Sequence, residues 1–260
     1  MAEDGFRFIR FMSSADTRPS YGLLEEDTVT QLSGPPWEAS ERTSDKFPVG
    51  RVRLQAPVEP SKIVCVGLNY RAHVDASQSA DKPPDQPLIF LKPPSSIIGP
   101  GDDIFYPPAS SRVDYEAELG VVIGRTARKV TIDSATEYIF GFTCANDVTA
   151  RDLQKSDGQW SRAKGFDTFC PVGPWIVREL AWQDTLIEGI HNDEIRQSGR
   201  TSQMIFSVPY LISFVSSIMT LNPGDLLITG TPAGIAPMKP GDTVEVRIDG
   251  IGRLVNRVAG

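Results

Sequence analysis

Short apolar runs recur along this chain, each bounded by Gly, Pro, Asn or Asp, and such runs are the signature of strands. Phe6-Arg7-Phe8-Ile9-Arg10-Phe11 alternates with a period of two and opens the series. Residues 21–24 and 28–32 predict a hairpin turning at Glu25-Glu26-Asp27. Pro35-Pro36 and a Ser/Thr/Glu-rich stretch to about residue 46 predict a loop. Residues 1–55 therefore read as a small N-terminal β-rich domain, and residues 56–260 as the larger domain. Further strands are expected over residues 62–66, 87–92, 139–145, 172–177, 226–229 and 243–248. Residues 186–190 and 194–197 predict a hairpin around Asn192-Asp193. The clearest helix covers residues 207–220: Ser207 caps it, Pro209 lies in its first turn, and Leu211, Ile212 and Val215 share one face. Asp133 is expected to cap a short helix over 134–138, residues 149–155 to make a helical turn or two, and 161–169 to be loop. Roughly a dozen strands against three or four helices give an α+β, strand-dominated class.

One strand carries more than its share of charge. Val113-Asp114-Tyr115-Glu116-Ala117-Glu118-Leu119-Gly120-Val121-Val122-Ile123 is an apolar run with carboxylates two residues apart. At that spacing Glu116 and Glu118 face the same way, about 6–7 Å apart. On a half-buried face they repel and call for a counter-charge, which a hard divalent cation supplies. They equally suit the solvent side of an ordinary strand.

Three more segments gather polar groups beside apolar strands. Asp147 ends the strand over 139–145 and precedes Arg151 and Gln154, which lie three apart on one helix face. It is either a ligand at a strand end or the cap of that helix, with Arg151 its ion-pair partner. Lys164 sits in Ser161-Arg162-Ala163-Lys164-Gly165-Phe166, where it is either a site residue or a surface charge. Thr229-Gly230-Thr231-Pro232 is a turn after a strand whose N–H groups and hydroxyls suit a carboxylate; it lacks a P-loop lysine. His73 lies in the unpatterned, polar stretch 71–87, which reads as a loop or short helix and a lid. With only two histidines in the chain, it is the candidate acid–base group, while His191 at the hairpin turn reads as a solvated surface residue.

Composition narrows the function. A net charge of −7 argues against a nucleic-acid partner, because phosphate binding needs a basic face. No apolar run approaches the ~18 residues of a membrane span, and no signal-peptide apolar segment opens the chain. Cys65, Cys144 and Cys170 lack zinc-site spacing, and their odd number fits reduced thiols in a cytoplasmic protein.

Taken together and in order, six phrases resemble the fumarylacetoacetate hydrolase (FAH) superfamily. They are Val66-Gly67-Leu68-Asn69-Tyr70-Arg71-Ala72-His73, Ile89-Phe90-Leu91-Lys92-Pro93, Tyr115-Glu116-Ala117-Glu118-Leu119-Gly120, Asn146-Asp147-Val148-Thr149-Ala150-Arg151-Asp152, Lys164-Gly165-Phe166-Asp167 and Thr229-Gly230-Thr231-Pro232. The similarity is to the branch of acylpyruvate hydrolases, oxaloacetate decarboxylases and tautomerases, and 2-hydroxyhepta-2,4-diene-1,7-dioate isomerases, and it runs over residues 62–258. It implies a mixed β-sandwich roll and a homodimer. It implies Mg²⁺, or Mn²⁺, held by Glu116, Glu118 and Asp147, and a 2-oxo acid substrate chelating that ion. Arg151 and Gln154 match residues that hold and polarise the substrate. Lys164 matches one that stabilises the developing enolate, Thr231 one that holds a substrate carboxylate, and His73 the lid base. Lys164 and Gln154 would also stabilise oxyanions. The leading expectation is C–C hydrolysis of acylpyruvate-type substrates, with decarboxylation, tautomerisation or isomerisation as alternatives and a non-catalytic 2-oxo acid binding protein as the remote one. One position departs from the pattern: hydrolytic relatives carry a glutamate three residues after the lid histidine, where this chain has Ala76, with Asp75 beside it.

Overall fold

The computed structural model describes residues 6–14, 17–77 and 84–260. Five strands come from the N-terminal segment: β1 (Arg7–Ser13), β2 (Ser20–Glu25), β3 (Thr28–Leu32), β4 (Arg42–Pro48) and β5 (Val52–Gln55). Then follow β6 (Ile63–Gly67), α1 (Arg71–Ser77), β7 (Leu88–Lys92), β8 (Ile97–Ile98), β9 (Asp103–Phe105), β10 (Val113–Asp114) and β11 (Ala117–Ile123). The middle of the chain gives β12 (Ile139–Asn146), β13 (Thr149–Ala150), α2 (Arg151–Asp157), α3 (Ser161–Lys164) and β14 (Cys170–Val177). The last part gives β15 (Leu186–His191), β16 (Glu194–Arg200), α4 (Val208–Ile218), β17 (Leu226–Ile228), β18 (Thr243–Ile248) and β19 (Gly252–Ala259). The strand-dominated α+β class is observed.

Ten strands run side by side in the order β4-β3-β2-β1-β14-β12-β11-β17-β6-β7, with β5 on β1 and β8 on β14. The N-terminal strands thus continue the main sheet, because β1 pairs antiparallel with β14 at Arg7↔Val177 and Phe8↔Ile176. A second sheet, β16-β15-β18-β19-β9, lies over it. Leu119, Val121 and Phe142 of the main sheet share a core with Ile187, Val246, Ile248 and Leu254 of the second sheet and with Leu211, Ile212 and Val215 of α4. On the other face of the main sheet, Ile63, Cys65, Val122, Val172, Ile176 and Ile228 form a second core. Covered on both faces, β11 is buried at every position, which is why its sequence is a continuous apolar run and not an alternating one. Both sheets are mixed: β6 runs parallel to β17, and β9 to β19.

Three elements differ from expectation. The polar stretch before residue 46 contains β4, an edge strand on β3 whose residues are mostly exposed. Its ladder bonds come from the neighbour, so it needs no apolar alternation. Residues 161–164 form the short helix α3, which four residues of sequence are too few to show. The turn expected after Asp133 is a 3₁₀ helix over Ala135–Tyr138 flanked by Ser134, not Asp133.

Three Pro-Gly-Asp sequences turn the chain by one device. Gly101, Gly224 and Gly241 take φ of +78°, +82° and +98°, the left-handed position of a type II turn. The following aspartate then accepts the N–H three residues back: Gly99 to Asp102 (2.8 Å), Asn222 to Asp225 (2.7 Å) and Lys239 to Asp242 (2.8 Å). Asp225 goes further. Fully buried, it also accepts from the N–H groups of Ser61 and Lys62, the Ser61 hydroxyl and the Lys62 ammonium, and so ties the start of β17 to the start of β6. Asp225→Ala therefore lowers unfolding free energy by about 3 kcal/mol or more, as expected for a buried ion pair losing one partner. Asp102→Ala, at a more exposed turn, costs about 1 kcal/mol. Urea titrations of the two variants check the ranking.

Candidate metal centre and active site

Glu116 and Glu118 flank Ala117, the first residue of β11, and both point to one cavity at the end of the main sheet. Asp147 follows β12, the antiparallel neighbour of β11, and its N–H donates to the Glu116 carbonyl (2.9 Å). Carboxylate oxygens of Glu116, Glu118 and Asp147 all lie within 4.8 Å of one another, and all three residues are buried. Asp147 is not the cap of α2, which starts at Arg151.

Buried cations face this acidic group. Lys164 donates to Glu116 (2.9 Å) and Asp147 (2.5 Å). Arg151 pairs with Glu116 and with Asp114 (2.9 Å), and its third nitrogen holds the Gln154 side-chain oxygen (2.6 Å). Its partners are thus Asp114 and Glu116, not Asp147. Lys92, at the end of β7, has 1% of its surface exposed and donates to Asp147 (2.6 Å) and the Val148 carbonyl (3.0 Å). Glu118 is the exception: among the described residues it has no cationic partner, only the Gly230 N–H (2.6 Å).

The electrostatics follow from these contacts. Burial alone would raise Glu116, but Lys164, Arg151 and His73 outweigh it and hold this carboxyl far below the usual range. Glu118 is pushed well above the usual range by burial, then by the charges of Asp147 and Glu116. Burial opposes the Lys164 charge, yet Asp147 and Glu116 raise its pKa. An all-oxygen set of three carboxylates, one lacking a cation, fits a hard divalent ion and fits no soft one.

His73 reaches the cavity from α1. Leu68, at φ +58°, turns the chain sharply out of β6, a conformation that costs a leucine about 1–2 kcal/mol. Buried Asn69 holds that turn: its amide donates to the carbonyls of Thr229 (2.7 Å) and Phe206 (3.1 Å), and its oxygen accepts from the Phe206 N–H (2.8 Å). Tyr70 then starts the helix, its carbonyl accepting from the N–H groups of His73 and Val74. The His73 pKa is lowered from 6.5, chiefly by burial, with Arg151 and Lys164 adding to it against the pull of Glu116. Burial thus favours the neutral imidazole form of His73.

The Thr229-Gly230-Thr231 turn closes the cavity. Gly230 has φ +96°, and a Cβ there would lie 2.7 Å from that of Asn69, so only glycine brings this N–H to Glu118. The Thr231 hydroxyl donates to the Ala117 carbonyl (2.9 Å) and accepts from Gln197 (2.7 Å). To donate to a substrate carboxylate, it must give up the Ala117 bond.

All eight residues singled out in the sequence (His73, Glu116, Glu118, Asp147, Arg151, Gln154, Lys164 and Thr231) line this one cavity, with Val66, Gly67, Leu68, Phe90 and Trp160. Sequence reasoning gave no role to Lys92, Asn69 or Gln197. No local signal marked Lys92, which follows the half-exposed residues of β7. His191 is not a free surface residue: its Nε2 lies 2.8 Å from Asp242 and its ring packs on Tyr115. Asp75 and Ala76, as side chains, lie outside the described residues, as do residues 78–83 of the expected lid.

A cavity that joins an acidic triad to buried lysines, an arginine and a histidine has the makings of an enzyme site. Comparison with known proteins gives the family. Residues 62–259 match the family described as fumarylacetoacetate (FAA) hydrolase C-terminal, and residues 6–57 match one described as Rv2993c-like, N-terminal. The chain belongs to the FAH superfamily of enzymes. It is 47% identical to protein Rv2993c of Mycobacterium tuberculosis, over 91% of this chain and 90% of that protein. It is 40% identical to the oxaloacetate tautomerase YisK of Bacillus subtilis, over 84% and 77%. The crystal structure of 2-hydroxyhepta-2,4-diene-1,7-dioate isomerase from Mycobacterium marinum superposes with a TM-score of 0.90 at 42% identity, over 98% of each chain.

The charge balance gives a stability prediction. Lys92→Met leaves buried Asp147 with one cation in place of two, and unfolding free energy of the metal-free protein falls by about 3–5 kcal/mol. Millimolar Mg²⁺ or Mn²⁺ recovers part of that loss, because a divalent ion supplies the missing charge. Denaturant titrations with and without metal read both effects.

Proposed function

We propose that this chain is a divalent-metal-dependent tautomerase or isomerase of small 2-oxo acids and their 2-hydroxydienoic enols, with Mg²⁺ as the expected ion and Mn²⁺ as a substitute. The observation that carries the reading is the meeting, in one small cavity, of a buried carboxylate triad, of which Glu118 alone lacks a cation, with a buried histidine. The named activities of the relatives support the choice: one is an oxaloacetate tautomerase, another a 2-hydroxyhepta-2,4-diene-1,7-dioate isomerase. The buried free cysteines Cys65, Cys144 and Cys170 support a reducing, cytoplasmic setting.

Glu116, Glu118 and Asp147 would hold the ion, which supplies a Lewis acid for the 2-oxo carbonyl and the adjoining carboxylate. His73 takes a proton from the carbon next to that carbonyl and returns it at the position that completes the shift. Lys164 keeps its charge in the buried site and donates to the carbonyl oxygen as negative charge gathers there. Arg151 and Gln154 hold the substrate carboxylate through the N–H groups that the Arg151 bonds to Asp114, Glu116 and Gln154 leave free. Tautomerisation needs these groups and no more.

Hydrolysis of acylpyruvates is the second reading, favoured by the same triad and base. It requires His73 to activate water, and the position that gives hydrolytic relatives a helping glutamate is Ala76 here. With Mg²⁺ present, oxaloacetate tautomerisation should exceed acetylpyruvate cleavage, and His73→Gln should lower it by at least ~10²-fold. Cleavage outrunning tautomerisation would promote the hydrolase reading instead. The pH profile gives an independent check. With the pKa of free His73 lowered from 6.5, its base form persists as pH falls through 6.5, so kcat/KM should decline only below that value.

A further inference from the structure

We infer that Trp160 is the wall that limits substrate length, favouring four-carbon 2-oxo acids over seven-carbon dioates. The inference rests on the 2-oxo acid reading and concerns the half of the cavity that the charged residues do not occupy.

That half is apolar. Val66, Gly67 and Leu68 from the end of β6, Phe90 of β7, and Trp160 are its lining residues. The free volume of the whole cavity, about 50 Å³, holds only a few waters, so a chelating head group leaves little room beside it.

Trp160 lines the cavity and is held on two sides. A Cβ at Gly67 would lie 3.0 and 3.2 Å from Cζ3 and Cη2 of the indole, so the six-membered ring already rests on the Gly67 backbone. The Phe90 ring meets it edge-on, with centroids 5.2 Å apart and planes at 71°. Phe90 in turn carries the Lys164 ammonium 4.8 Å from its ring centre, which ties the apolar wall to the charged one.

The backbone fixes Trp160 as well. α2 ends at Gly158, which takes φ +71°, and Trp160 immediately precedes α3. Its carbonyl accepts from the Lys164 N–H (2.9 Å). Arg162 and Asp157 clamp the outside of the same turn through bonds of 2.7 and 2.6 Å. One α2–turn–α3 unit therefore sets Arg151, Gln154 and Lys164 toward the substrate head and Trp160 across its tail.

The test compares wild type, Trp160→Phe and Trp160→Ala on oxaloacetate and on 2-hydroxyhepta-2,4-diene-1,7-dioate, with Mg²⁺. The kcat/KM ratio of long to short substrate should rise at least about tenfold in Trp160→Ala, the scale of opening space for one or more methylenes, with Trp160→Phe between. The gain should appear mainly as a lower KM for the long substrate. Calorimetry separates a wall from a support: Mg²⁺-dependent oxalate binding should be unchanged in Trp160→Ala, while 2-oxoheptanedioate binding tightens. An unchanged ratio, an equal loss on both substrates, or lost oxalate binding would overturn the inference. If wild type turns over neither substrate, the reaction reading fails, and the calorimetric comparison still decides the wall.

Discussion

The structure turns on a surplus of buried negative charge. Asp114, Glu116, Glu118 and Asp147 are all buried at one end of the main sheet. Carboxylates out of water are tolerated only with partners, because the loss of hydration costs several kcal/mol per ion. Lys92, Lys164 and Arg151 partner three of them, and Arg112 adds a bond to Asp114 from the rim. Glu118 is left with a backbone N–H. The local fold serves this balance: Asn69 and Gly230 bring that N–H to Glu118, and α2 and α3 deliver Arg151 and Lys164. A divalent ion held at the triad would complete the balance.

Strands and loops divide the labour of the candidate site. The carboxylates stand on or beside β11 and β12, adjacent central strands buried on both faces. The base comes from α1, and the apolar wall from the α2–α3 turn and the ends of β6 and β7. The acidic triad is thus built into the buried centre of the main sheet. Under the proposed function, substrate length and the fate of the proton fall to these outer segments.

Much of this centre was legible because the residue types are improbable where they stand. Two glutamates in an apolar strand, an aspartate at a strand end and a helix with Arg151 and Gln154 three apart each demanded an explanation. The helix α4 was legible from Ser207, Pro209 and its apolar spacing. Lys92 was not legible, because a lysine at a strand end is usually solvated and only the fold shows Asp147 beneath it. The pairing of β1 with β14 links Phe8 to Ile176, a separation no local pattern encodes. β4 was missed because an edge strand borrows its bonds from β3 and needs no apolar signature. α3 was missed because it is one turn long, and Trp160, just ahead of it, was passed over with the loop.

The central claim is that Glu116, Glu118 and Asp147 form one divalent-cation site completed by Glu118. Titration of the metal-free protein with Mn²⁺, followed by calorimetry or by the signal of free Mn²⁺, tests it directly. The account predicts one saturable site per chain, and for Glu118→Gln a loss of affinity beyond the ~10–100-fold typical of removing an outer-shell partner. Absence of saturable binding, or equal affinity in Glu118→Gln, would contradict it.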